Sequence, residues 1–94
     1  MFSVELREGD VVVMSGRFDA AQVEKAQAEF EKISKSSVVD FENLEYISSG
    51  GLSVLLSTQK RLSEAGHQLR LKNMNKHIRE VFQYAGFDMI FEIE

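Results

Sequence analysis

Val38-Val39-Asp40-Phe41-Glu42-Asn43-Leu44-Glu45-Tyr46-Ile47-Ser48-Ser49-Gly50-Gly51-Leu52-Ser53-Val54-Leu55-Leu56 is the stretch on which the reading of this chain turns. Val38 to Phe41 is a short apolar strand, and the polar residues after it form a bend. Two serines and two glycines then break the chain before an apolar helix begins. A hydroxyl just ahead of a helix can accept from backbone N–H groups that the first turn leaves unpaired, so a serine here is an N-cap. The same N–H groups and the positive end of the helix dipole tolerate a phosphate or another anion. Gly50 and Gly51 have no Cβ, which would let a ligand or a partner backbone come close.

Working outward, Phe2, Val4 and Leu6 alternate with Ser3, Glu5 and Arg7, the period of a half-buried strand. Glu8-Gly9-Asp10 is turn chemistry, and Val11 to Met14 is a β-branched run, so a hairpin with a more buried second strand is expected. Asp19 is a good N-cap, with Gln22 placed to reach back, for a helix burying Val23, Ala26, Phe30 and Ile33. Strand, helix, strand at this spacing predicts a parallel, right-handed crossover. Parallel strands finish on one edge of a sheet, where open α/β folds place their sites, so Asp19 and the Ser48-Ser49 loop are expected side by side. Beyond the helix from about Gly50 to Ala65, Gly66 is a stop and Gln68 to Lys72 a fourth strand. Asn75 can cap a last helix facing inward through Ile78, Val81, Phe82 and Ala85. Gly86 stops it, Phe87 folds back on Phe82, and Ile90, Phe91 and Ile93 make a final strand.

The same residues resemble the STAS domain family, typified by bacterial anti-sigma factor antagonists. That family's strand leads through a hydrophobic pair to Asp-Ser-Ser/Ala-Gly-Leu and a helix. Tyr46-Ile47 matches the pair and Gly51-Leu52 the Gly-Leu, while Ser49 falls on the phosphorylated serine. Ser48 stands where the family usually has Asp, and Gly50 where it has Ser or Ala. Gly16-Arg17-Phe18-Asp19 resembles a second signature, which puts Asp19 beside the switch, and Tyr84 to Phe91 resembles the family's C-terminal pattern. The fold implied is one α/β domain over residues 1–94, a mixed four- to five-stranded sheet packed with three main helices.

Composition bounds the alternatives. The 94 residues suffice for one core, and 44% hydrophobic with 28% charged is ordinary globular composition. A net charge of −4 without a basic tract argues against nucleic acid as a partner. There is no cysteine, and the longest uncharged run, Tyr46 to Gln59, is too short to cross a bilayer. Without a basic, apolar leader pattern, the protein is expected in the cytoplasm. The nucleophile elbow Gly-x-Ser-x-Gly would need glycine where Ile47 stands, and His67 and His77 fall on different elements, so no catalytic role is expected. Two isolated histidines match no metal spacing, and no phosphate-binding glycine motif occurs, so neither metal nor cofactor is expected.

By local chemistry Ser49 is a helix cap; the resemblance makes it a phosphoacceptor, with Ser48 as the alternative. The resemblance also implies a non-enzymatic regulator that binds an anti-sigma factor carrying a serine-kinase domain, releases a sigma factor, and is switched off at Ser49. Asp19, Ser48, Ser49, Gly50, Gly51 and Ser53 are its expected docking residues. The second reading is a small STAS subunit bound to the ATPase of a membrane lipid transport system.

Overall fold

The strands bury one face only, and that asymmetry organises the molecule. The computed structural model describes all residues, Met1–Glu94. β1 (Ser3–Arg7), β2 (Val11–Phe18), β3 (Ser37–Ile47), β4 (Leu69–Lys72) and β5 (Glu92–Ile93) form one sheet in the order β1-β2-β3-β4-β5. β1 and β2 are an antiparallel hairpin, and the other three pairings are parallel. Val12, Met14 and Phe18 of β2, Val39, Phe41, Leu44 and Ile47 of β3, and Leu69 and Leu71 of β4 point into the core. Helices α1 (Val23–Phe30), α2 (Ser49–Glu64) and α3 (Lys76–Tyr84) meet them there, through Ala26 and Phe30, Leu52, Leu55 and Leu62, and Ile78 and Phe82. The opposite face of the sheet carries half-buried or exposed residues such as Val11, Val13, Val38 and Arg70.

β3 is longer than its sequence suggests. The expected polar bend after Phe41 is instead strand out to Ile47. Two bulges make this possible. Val13 pairs with Asp40 but Ser15 with Asn43, and Gly16 pairs with Leu44 but Arg17 with Tyr46, so β3 holds one extra residue at each place. Asp40 supports the first bulge, accepting from the Glu42 N–H at 2.9 Å and from Asn73 Nδ2 at 3.0 Å.

The first helix also starts differently. Asp19 caps a short 3-10 turn, Ala20–Gln22, by accepting from the Ala21 N–H at 3.1 Å, and Gln22 makes no capping bond back. α1 ends at Phe30, so the buried Ile33 lies beyond the helix. Arg61 of α2 donates to the carbonyls of Ile33 (2.7 Å) and Phe30 (3.0 Å), the second of which also accepts from the Ile33 N–H at 3.1 Å, so the segment after α1 is pinned to α2.

The C-terminal third follows expectation at its caps and departs at its end. Asn75 Oδ1 accepts from the Ile78 N–H at 2.8 Å, and Nδ2 donates to the Leu44 carbonyl at 3.3 Å, tying α3 to β3. Phe87 does pack edge-on to Phe82, with ring centroids 6.1 Å apart. Ala85 is exposed rather than inward, because the helix has already ended at Tyr84. Ile90 closes a 3-10 turn, Phe87–Met89, and is exposed, leaving a strand of only two residues.

Candidate functional site

β2 and β3 end on the same rung, where Phe18 pairs with Ile47. The two chains stay tied as they leave the sheet, since the Ser48 N–H donates to the Phe18 carbonyl at 2.9 Å. Asp19 and the Ser48-Ser49 loop are therefore neighbours, as the parallel pairing requires. Gly50 closes the arrangement from the helix side: a Cβ there would lie 2.8 Å from Val23 Cγ2 at the start of α1. The two loops form one packed edge.

The serines divide their roles. Ser48 has extended backbone angles (φ −86°, ψ 170°), and its Oγ accepts from the Gly51 N–H at 3.2 Å. Its carbonyl accepts from the Leu52 N–H at 3.0 Å. Ser48 is thus the N-cap of α2, and the capping role that local chemistry offered Ser49 belongs to its neighbour. Ser49 is the first residue of the 16-residue helix and exposed. Its hydroxyl engages no protein group, and neither does that of Ser53 one turn on, while Ser48 before the helix and Ser57 and Ser63 further along it bond to backbone. No acidic residue occupies the first turn, so an anion on Ser49 would meet the helix dipole unopposed from its own helix.

This division makes a stability prediction. Ser48→Ala should cost about 1 kcal/mol, the usual value of an N-cap, whereas Ser49→Ala should stay within about 0.5 kcal/mol of wild type. Urea titrations of the two variants check it. Equal losses would contradict the assignment of the cap.

The glycines serve the fold more than a partner. Gly51 is buried, and a Cβ on it would lie 2.8 Å from Ile47 Cγ1 and 3.1 Å from the Phe18 ring. It therefore has no surface to offer, contrary to the expectation that it admits a partner. Gly50 is half-buried against Val23, so the approach its missing Cβ permits is by the protein's own α1. Asp19 is half-buried, with one oxygen engaged by Ala21. Ser53 is exposed one turn beyond Ser49, and Ser57 one turn further, so the three hydroxyls line the outer face of α2. His67 lies by Ser36 (3.4 Å) just before β4, and His77 is exposed in the first turn of α3, so the two do not share a site.

Arg17 is a residue the sequence reading passed over. Its guanidinium sits 4.4 Å from the centre of the Tyr46 ring, on the rung next to Phe18 and Ile47. Arg7, Arg61, Arg70 and Arg79 each donate to a carboxylate or a carbonyl. Arg17 alone among the five arginines is held by stacking with its donors uncommitted. A guanidinium fixed in this way is preorganised for a carboxylate.

The family model described as "Mlab, STAS domain" matches residues 2–92. The chain belongs to the STAS domain family. A relative from Bordetella bronchiseptica, named "Putative anti-sigma factor antagonist BtrV", is 34% identical over 87 residues, 88% of this chain and 75% of the relative. The fold is shared with solved structures of lower identity. An anti-sigma factor antagonist from Mycobacterium paratuberculosis superposes with a TM-score of 0.82 at 21% identity, covering 99% of this chain and 83% of that one. The Bacillus cell fate determinant SpoIIAA in its phosphorylated form gives 0.72 at 23%, covering 100% and 91%. The STAS fold read from the sequence is therefore the fold of this chain, with five strands in its mixed sheet. No helix is long and apolar enough to cross a membrane.

Proposed function

We propose that this STAS domain is an anti-sigma factor antagonist that docks its partner on the edge formed by Asp19, Ser48, Ser49, Gly50 and Ser53. Phosphorylation of Ser49, by a serine-kinase domain on that partner, is its off-switch. The observation that carries the reading is the division between the serines: Ser48 caps α2, leaving the Ser49 hydroxyl exposed and uncommitted at the helix start. The name of the Bordetella relative supports the partner class, and SpoIIAA, of the same fold, is described in phosphorylated and unphosphorylated forms.

The physics favours a switch in binding over a switch in folding. A phosphate adds about −1.5 to −2 charges, which a helix N-terminus accommodates favourably. The cost falls on whatever must pack against the loop, with Asp19 adding like charge from the adjoining loop. Arg17 extends the same edge onto the open face of the sheet and suits an acidic group on the partner. The protein acts by contact, without chemistry of its own.

Affinity capture from native cytosol, with wild type, Ser49→Ala and Ser49→Asp as baits and mass spectrometry of what they retain, tests this. A kinase-like anti-sigma factor should be held by the first two and bound at least about tenfold more weakly by Ser49→Asp, the scale of one well-placed repulsion. An ATPase held equally by all three would instead make this the transport-ATPase subunit. Ser49→Asp should be no less stable than wild type, because a carboxylate there meets the helix dipole.

A further inference from the structure

β1 is an edge strand, and its outer side faces no other part of the chain. Its pairing with β2 is unbroken over five residues, from Ser3 with Ser15 to Arg7 with Val11, so it carries no bulge to turn the edge away. Leu6 remains 38% exposed although it points to the core side. A cleft of about 230 Å³, lined by Leu6, Val12, Ile33 and Lys32 among others, opens beside it where α1 has ended. At the other end of the strand the Phe2 carbonyl already receives Lys25 Nζ at 3.4 Å, which leaves Ser3 to Arg7 as the free run.

We propose that two copies of this chain join along β1, antiparallel and centred on Leu6, to make one continuous sheet. Charge selects that register. Registers that keep all helices on one side pair residues of like face, so the dyad must pass through Val4, Glu5 or Leu6. Centring on Glu5 sets Glu5 against Glu5. Centring on Val4 uses the blocked Phe2 end. Centring on Leu6 sets Glu5 against Arg7 of the second copy on both sides of the dyad and places the two Leu6 side chains together over the cleft. Glu5 and Arg7 already touch within one chain (3.1 Å), so the dimer would close a ring of four alternating charges. On β2 they pair with Val13 and Val11, so no charge on that strand faces them, while Arg7 shares the cleft with Asp10, Lys32 and Lys35. The paired segment is short and makes a weak, salt-sensitive dimer.

Sedimentation velocity on the full chain, between roughly 10 µM and 1 mM at low salt, tests the proposal without any other partner. Wild type should dimerise within that range. Glu5→Arg and Arg7→Glu should each associate at least about tenfold more weakly, since each turns two attractions into two repulsions. An equimolar mixture of the two variants should recover the dimer, because every charge pair across the dyad is then opposite. Both side chains are exposed, and thermal melts establish that the variants are folded. A wild type that stays monomeric to the top of the range overturns the proposal. So do single variants that associate like wild type, or a mixture that stays apart.

Discussion

Phe82→Ala is expected to remove about 3–5 kcal/mol of stability, the range for deleting a fully buried phenylalanine. Phe82 is fully enclosed, and its ring meets three others edge-on: Phe41 at 5.9 Å, Phe91 at 5.8 Å and Phe87 at 6.1 Å between centroids. These rings come from β3, from the segment before β5 and from the turn after α3, so one side chain joins three elements. α3 buries only Ile78 besides. Removing Phe82 therefore opens a cavity and cuts three aromatic pairs, each adding about 0.5–1.5 kcal/mol beyond area burial. Against a total of about 5–15 kcal/mol for a single domain, the loss is a large share, and the melting temperature should fall by more than about 12 °C. Tyr84→Ala on the same helix is the control. Tyr84 is 92% exposed, and its loss should stay within about 0.5 kcal/mol. Calorimetry on both decides the matter, and comparable shifts would mean that the aromatic cluster does not hold α3 down.

Caps, stops and the hairpin were legible in the sequence because each depends on two or three adjacent residues. Asn75, Gly66 and Gly86 act as their residue types predict, and Asp19 caps a turn even though that turn is 3-10. β3 was not fully legible, for a physical reason. Its last buried residues, Phe41, Leu44 and Ile47, recur every third position, which is neither strand nor helix period. The two bulges create that spacing by adding a residue each, and a bulge depends on the partner strand rather than on the local sequence. The site shows the same limit. Either of two adjacent serines could cap α2, and the choice falls to Ser48 because its N–H is held by Phe18 on another strand. Gly50 and Gly51 read as openings, yet Val23, Ile47 and Phe18 fill them. Arg17 and Tyr46 meet only because the second bulge sets their register.

The bulge that places Arg17 makes the second large effect a glycine substitution. Gly16 lies at that irregularity with φ +84°, where an L-residue costs about 1–2 kcal/mol. It also lies under the start of the chain: a Cβ would sit 1.6 Å from the Met1 carbonyl oxygen and 2.6 Å from its carbon, distances no rotamer change can relieve. The backbone at Met1 and Phe2 must move, and Phe2 is 3% exposed with its ring 4.7 Å from that of Phe18. Gly16→Ala should therefore cost about 2–5 kcal/mol, strain plus the overpacking penalty of shifting Met1 and Phe2. Gly9→Ala separates the two terms. Gly9 has nearly the same φ, +82°, with nothing within 4 Å of its would-be Cβ, so it reports strain alone at about 1–2 kcal/mol. Equal losses for the two variants, measured by denaturant titration, would remove the clash from the account. A larger loss at Gly16 carries a functional consequence, because Phe18 leads into Asp19 and holds Ser48. Displacing Phe2 from Phe18 then loosens the edge proposed above to dock the partner, and on that proposal Gly16→Ala should weaken partner capture at temperatures where the domain is still folded, while Gly9→Ala should not.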